Sequence, residues 1–446
     1  MQFSLKRKIK LKGVQILALG FLIAIFIGGI ILSLPISSAS GEATNFLDAI
    51  FTSTSAVCVT GLVTLDTSTY WSTFGQMVIM ILIEVGGLGF MTFGVLISLV
   101  LGKKITLRER LIMQEAMNTH SIQGLVKMVK YILVFTVSVQ VFGAVLLSTQ
   151  FIPEYGIYKG LFYSLFHSIS SFCNAGFDLF GTSLINYSSN TTVILVISTL
   201  IIIGGLGFTV LLEIYEFRSI KKFSIHSKLV LISTLILILI GTLLMFVFER
   251  NNVETIANMN MKDKMLNSFF ASVSPRTAGF NSVSTTAMTS VSKFLTIILM
   301  FIGGSPGSTA GGLKTVTFAI LVLTVISVIR GREDAEIFGR RFSKGVVYKA
   351  FTILFIAVSL VIMFTMILLF TEVSASFMDI LYEVTSAFGT VGLTLGFTPN
   401  LSSIGKVLII LMMYFGRVGP LTVMLALARK NKKSGYKYPE GKILIG

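Results

Sequence analysis

Charge is scarce in this chain. Of its 446 residues only 13% are Asp, Glu, Lys or Arg, while 54% are hydrophobic and the mean hydropathy is +0.87. A soluble domain carries about 25% charged residues, so a water-soluble enzyme or binding module is excluded. Cysteine is nearly absent: Cys58 and Cys173 alone cannot form a disulfide framework. Both stand three residues before a glycine in the same register, which suits small side chains behind a wall better than a redox switch. The three histidines, His120, His167 and His226, lack metal-ligand spacing. There are no paired catalytic carboxylates and no nucleotide-binding Gly/Lys motif, so the chain is not read as an enzyme and no cofactor is expected. The stretch GGSPGSTAGGLKT resembles a phosphate loop superficially, but lacks the GK[ST] ending and a preceding strand.

Long apolar runs are plentiful. They recur at roughly 14–34, 74–101, 125–150, 192–215, 228–248, 294–329, 347–370 and 405–428, each near or above the 20 residues a bilayer requires. The net charge of +16 reports topology rather than a nucleic-acid partner. Of 36 Lys and Arg residues, 27 fall in the N-terminal KRKIKLK stretch, in 103–130, 218–228 and 330–349, or from Arg429 onward, all on one side of the eight spans. The positive-inside rule places that side, with both termini, in the cytoplasm of a multi-pass cell-membrane protein. The basic start followed by an apolar run resembles a secretory signal; the run is too long for one and is read as a retained span.

The pattern that organises the chain is a fourfold repeat. DAIFTSTSAVCVTG, YSLFHSISSFCNAG, LNSFFASVSPRTAG and DILYEVTSAFGTVG end at Gly61, Gly176, Gly279 and Gly392, with Phe51, Phe166, Phe269 and Tyr382 ten residues earlier. A second glycine-rich element follows within the next apolar run, at Gly86, Gly204, Gly303 and Gly416. Each segment before the first glycine is too short and too rich in Ser and Thr to cross lipid, and suits a re-entrant helix. The expected fold is therefore an all-α membrane protein: four parallel helix–pore-helix–helix repeats, with eight transmembrane helices around one central pore in pseudo-fourfold symmetry. The repeats are expected at 1–110, 111–225, 226–340 and 341–446, the last ending in a short cytoplasmic tail.

Equivalent residues then form rings. A cation leaving water needs its hydration shell replaced, which backbone carbonyls do without fixed charge, and glycine permits the unusual backbone this requires. The candidate filter comprises Val59, Thr60 and Gly61; Asn174, Ala175 and Gly176; Thr277, Ala278 and Gly279; and Thr390, Val391 and Gly392. One such glycine alone would read as a packing contact; four in register do not. Arg276 breaks the symmetry and is expected to anchor structure, against Glu383 for example.

These residues carry a resemblance. VTGL at 59–62, NAGF at 174–177, SPRTAGFN at 274–281 and GTVGL at 389–393, with the GGxGF helices, resemble the Trk/Ktr/HKT superfamily of potassium transporters over essentially the whole chain, most closely its bacterial Ktr membrane subunits. The resemblance implies K⁺ uptake, with filter glycines that coordinate the ion. A serine at the first filter position is associated with sodium-selective plant members; position 61 here is glycine. It also implies a homodimer on a cytosolic ring of nucleotide-binding RCK/KTN-type subunits, with sodium stimulation in some members. The basic loops would contact that ring, or lipid headgroups.

The second apolar run of repeat three, 294–329, is too long for one crossing and is interrupted by Gly303, Gly304, Ser305, Pro306, Gly307, Ser308, Thr309, Ala310, Gly311 and Gly312. Proline and glycine at this density break helical hydrogen bonding, so 303–312 is read as a flexible intramembrane loop below the filter. In repeats one and two, GGLGF is compatible with plain helix packing. Arg417 occupies the equivalent region of repeat four, where a fixed cation opposes cation flow; paired to Glu84 it would be structural instead. The resemblance implies a gate formed by loop and arginine, and Lys314 would reinforce it. Glu84 departs from the family pattern and opens an alternative: a proton- or sodium-coupled carrier of another monovalent cation, Na⁺ or ammonium, which would need a buried acid at this depth.

Overall fold

The computed structural model describes residues 13–89, 125–217, 220–332 and 334–419, with residues 422 and 439. The basic stretch before residue 13, most of 103–130 and nearly all of the tail after Arg429 lie outside the described residues. What remains is mostly helical, with irregular segments that include 58–72, 173–190, 274–289 and 302–314, and a small hairpin, β1 (Glu336–Ile337) with β2 (Arg340–Arg341).

Repeat one comprises α1 (Gly13–Ser33), α2 (Phe46–Val57) and α3 (Thr73–Leu88). Repeat two comprises α4 (Leu125–Tyr155), α5 (Ile157–Phe172), α6 (Thr191–Leu206) and α7 (Phe208–Glu216). Repeat three comprises α8 (Ile225–Glu249), α9 (Met261–Val273), α10 (Ser290–Phe301) and α11 (Thr315–Ile329). Repeat four comprises α12 (Lys344–Thr371), α13 (Phe377–Gly389) and α14 (Ser403–Val418). The first helix of each repeat, α1, α4, α8 and α12, is long and apolar enough to cross a bilayer alone. The short pore helices α2, α5, α9 and α13 are not.

Local sequence starts the inner helices by one device four times over. Ser72, Asn190, Thr289 and Ser402 each accept an inner-helix N–H, from Gly75, Val193, Ser292 and Gly405, satisfying a donor that a helix start leaves unpaired. In repeats three and four, a carboxylate from the end of the outer helix braces the cap: Glu249 accepts from Thr289 (2.9 Å from N) and Glu372 from Ser402 (2.5 Å from Oγ).

Small residues set how the three helices of a repeat meet. Ser53, Ser168 and Ser272 on the pore helices donate to Ile25, Gln140 and Ile238 carbonyls on the outer helices at 2.8, 2.6 and 2.9 Å. Gly28, Gly143 and Gly241 make the approach possible: a Cβ on any of them would strike the facing serine. The inner helices close on the pore helices in the same way. A Cβ at Gly86, Gly204 or Gly416 would run into the carbonyl of Val57, Phe172 or Phe388 respectively.

Two expectations change. In repeat three the buried anchor is Phe270, fully enclosed like Phe51, Phe166 and Tyr382, whereas Phe269 is only half-buried. The serine four residues beyond each anchor (Ser55, Ser170, Ser274, Ser386) confirms the register, so this repeat is one residue shorter between anchor and glycine. Secondly, the described inner-helix segment of every repeat ends partway along its apolar run. α3, α6 and α14 end at Gly89, Gly207 and Gly419, all with left-handed φ of 80°, 95° and 92°, and α6 meets α7 at 97°. GGLGF is thus a packing motif and a helix terminator together.

Candidate functional site

The filter segments follow the C-terminal ends of the pore helices, and their backbone repeats almost without change. Two residues before each glycine φ is positive: Val59 57°, Asn174 59°, Thr277 73° and Thr390 51°. The glycines follow at 93°, 70°, 77° and 93°. For β-branched Val and Thr this conformation is a genuine outlier, costing about 1–3 kcal/mol, and is held only where the surroundings enforce it.

Enforcement comes from the pore helices. The amides of Thr60, Ala175 and Val391 turn back to the carbonyls of Ser55, Ser170 and Ser386 at 2.7, 2.7 and 2.9 Å, and Ala278 N does the same to Ser274 O at 2.9 Å. The Ser55 and Ser386 hydroxyls take the next amides, Gly61 N at 3.0 Å and Gly392 N at 3.1 Å. Ser170 and Ser274 donate instead to the carbonyls of Phe177 and Phe280. The amide before each glycine, and in repeats one and four the glycine amide as well, is thus turned away to its own pore helix.

The four segments close on one another. A Cβ on Gly61 would lie 2.5 Å from Ala175 O, and one on Gly176 2.9 Å from Ala278 O. A Cβ on Gly279 would collide with Val391 O, and one on Gly392 with Thr60 O. Each glycine therefore packs against the carbonyl preceding the next repeat's glycine, in the order one, two, three, four, one. The predicted residues Val59 to Gly61, Asn174 to Gly176, Thr277 to Gly279 and Thr390 to Gly392 are brought together as one ring.

The loop 303–312 lies against this ring. It is mostly buried and extensively bonded, in contrast to the flexible segment that its composition suggested. Ile302 and Leu313 pair as a bridge at its neck, and Thr315 N donates to Gly304 O at 3.0 Å. The break at Gly207 strips the last carbonyls of α6 of their helical donors, and the loop supplies replacements: Ser305 N to Gly205 O at 3.0 Å, Thr309 N to Gly204 O at 3.3 Å. Gly307 O in turn accepts from Phe208 N at 2.9 Å. On the other side, a Cβ at Gly311 would collide with Thr390 Oγ1.

Arg417 performs the same service for repeat one. Its guanidinium donates to the carbonyls of Gly86, which also accepts from Gly89 N at 3.2 Å, and Gly87, at the end of α3, and to Thr309 O in the loop. Loop and arginine together thus join all four repeats below the ring. Lys314 Nζ donates to Ala310 O at 2.5 Å. Among the described residues no carboxylate lies within salt-bridge distance of either cation.

Two expected pairings are absent. Glu84 accepts from Gln140 Nε2 at 2.8 Å and Cys173 Sγ at 3.4 Å rather than from Arg417. Arg276, buried, donates to Thr234 Oγ1 at 3.3 Å, while Glu383 accepts from Thr394 and Thr398. Sequence reasoning also passed over the pore-helix serines, whose constant spacing after the aromatic anchor was the available signal.

A multi-pass helical membrane protein with a closed glycine–carbonyl ring at its centre belongs to the class that passes cations through a lipid bilayer. Residues 25–436 match the cation transport protein family TrkH, and the chain belongs to that family. It is 47% identical to the potassium/sodium uptake protein NtpJ of Enterococcus hirae over 98% of both chains. It is 44% identical to the Ktr system potassium uptake protein B of Bacillus subtilis, over 97% of this chain and 96% of that one. The crystal structure of the potassium transporter TrkH from Vibrio parahaemolyticus superposes with a TM-score of 0.73 at 19% identity, covering 96% of this chain and 87% of the other, a likeness of fold.

Proposed function

We propose that the chain is the pore subunit of a potassium uptake system, with the ring of Gly61, Gly176, Gly279 and Gly392 as its filter and loop 303–312 with Arg417 and Lys314 as its gate. The closed ring carries this reading: four backbone segments hold strained, matching conformations, turn the amide before each glycine back to the pore helix, and gather carbonyls where a dehydrated cation would need them. The names of the relatives over nearly full length support potassium as the cargo, with sodium as a second ion. Arg417 below the ring places a fixed positive charge in the cation's path, held by backbone carbonyls from which it can be released.

The finer organisation is part of the same proposal. Four pore units occupy 1–110, 111–225, 226–340 and 341–446, with both termini cytoplasmic. Two copies associate in the membrane over a cytosolic nucleotide-binding RCK/KTN-type ring. The Ktr system names of relatives support a partner subunit, and the excess of Lys and Arg on one side supports the orientation.

The test is growth of cells that lack their own potassium uptake, at limiting K⁺, with the parent and with Gly61→Ser. Rescue by the parent and loss, or a shift toward sodium, in the variant is the expected result. No rescue with a cognate cytosolic ring co-expressed, or rescue indifferent to residue 61, would overturn the reading.

A further inference from the structure

Asn174 holds the same left-handed backbone as Val59, Thr277 and Thr390 at the same register. Asparagine tolerates that conformation well, but three β-branched residues hold it too, so the backbone does not call for an amide here. The side chain, 1% exposed, is engaged in three directions. Its Nδ2 lies 3.3 Å from Arg276 O and 3.3 Å from Thr277 Oγ1, in the filter segment of repeat three. A carbonyl can only accept, which fixes the amide with nitrogen toward repeat three and Oδ1 the other way. There Oδ1 meets the hydroxyl of Thr309, in the loop, at 3.4 Å. Room for the amide is made by the inner helix of the same repeat: a Cβ on Gly204 would come within 2.9 Å of Oδ1, and one on Gly205 within 3.5 Å of Nδ2.

We infer that Asn174 is a positioning residue that makes ion selectivity depend on the loop: its amide is the strut between the filter segment of repeat three and Thr309. This rests on the filter-and-gate reading and deepens it. The Thr309 hydroxyl has one proton and three acceptors around it, Gly204 O at 3.1 Å, Phe172 O at 3.3 Å and Asn174 Oδ1. Each share is weak, so the loop can leave without breaking a strong bond. When it leaves, Oδ1 loses the donor it has among the described residues, and the amide is held from the Nδ2 side alone. The Arg276 carbonyl and Thr277 hydroxyl, two to three residues before Gly279, then have a less firmly fixed partner. The ring is held to one geometry while the loop is seated and relaxes in repeat three when it is not. Coupling of this kind needs a physical element that both sites bias, and the amide is that element.

The test uses the purified full chain in liposomes, with K⁺ and Na⁺ flux measured side by side. The variants are Asn174→Thr, a side chain that Thr277 and Thr390 already carry at this register, Thr309→Val, their combination, and Ser198→Ala. The last removes a buried α6 hydroxyl bonded to Ile194 O within its own helix. Asn174→Thr and Thr309→Val should each lower the K⁺/Na⁺ flux ratio about twofold, the factor the weak end of the hydrogen-bond range sets. The double variant should fall no further than the lower single one, since both break the same link, and Ser198→Ala should keep the parent ratio. Ratios unchanged in either single variant, or losses that multiply in the double one, overturn the inference. If Asn174→Thr does not assemble, Thr309→Val against Ser198→Ala decides alone. A parent without K⁺ flux removes the filter reading and this inference with it; a K⁺-selective parent with indifferent variants removes the inference only.

Discussion

Gly392 packs against the carbonyl of Thr60, so the last repeat of the chain meets the first and the ring closes without a second polypeptide. The two residues are more than three hundred positions apart in sequence, yet a side chain at position 392 would have to move the Thr60 backbone. Covalent linkage of the four quarters therefore leaves the central passage as tightly determined as any packed core.

Gly392→Ala tests this closure. A methyl group there would collide with Thr60 O, and φ of 93° is unfavourable for alanine. Potassium flux into liposomes should fall by about tenfold or more, from strain of about 1–3 kcal/mol placed at the filter. Flux at the parent level would show that the ring is looser than its contacts indicate.

Arg417 ties Gly86, Gly87 and Thr309 together through one guanidinium. Arg417→Gln removes the charge and most of these donors, and should raise basal K⁺ flux about tenfold in the absence of any regulator. Arg417→Lys keeps the charge but not the planar fork, and should fall between parent and Gln. Equal flux in all three would deny the side chain a gating part.

Lys406 Nζ lies 2.6 Å from Asp48 Oδ1, with both side chains largely covered, joining the start of α14 to the first turn of α2. Asp48→Asn leaves a half-buried cation without its partner and should cost about 1–3 kcal/mol. A thermal midpoint lowered by a few degrees, with the K⁺/Na⁺ ratio unchanged, is the expected pair of results.

Asp178, in the loop just beyond the filter of repeat two, has its carboxyl pushed up to about 6 by burial, with Asp66 adding to the effect. The amides of Phe180 and Gly181 oppose it, donating to Oδ1 at 2.9 and 2.8 Å. The folded form therefore binds a proton that the unfolded chain has released between about pH 4 and 6, and stability declines as pH rises through that window. Above about 6 the decline stops. Asp178→Asn, which can still accept both N–H groups, should flatten the fall of thermal midpoint between pH 4 and 6.5; an unchanged slope would place the titration elsewhere.

Much of the fold was legible because its signals are periodic. The outer helices lie within a few residues of the apolar runs, and the four glycines at which the pore segments end form one ring. What was not legible depends on contacts between repeats. Phe269 and Phe270 are adjacent aromatics; burial against neighbouring helices marks Phe270 as the anchor, and in the sequence only the serine four residues on separates the two. The end of an inner helix at Gly89, Gly207 or Gly419 is invisible in an apolar string, since glycine in a membrane helix serves packing as well as termination. The partners of Arg276 and Glu84 are hydroxyls, an amide and a thiol, groups whose abundance in the sequence points nowhere in particular. Loop 303–312 looked flexible because its own composition cannot show that the broken end of α6 provides its acceptors.

In each quarter of this protein an inner helix ends below the ring, but the quarters use that end differently. Repeat three extends it into a loop, repeat four puts an arginine beside it, and repeats one and two offer carbonyls as docking points. An assembly of four identical chains has no access to this arrangement. A single arginine codon would set four guanidiniums around one narrow axis, and a single long loop would be inserted four times into space for one. Fusion of the quarters into one chain lets loop and arginine evolve as separate parts of one site, while the ring above stays nearly symmetrical.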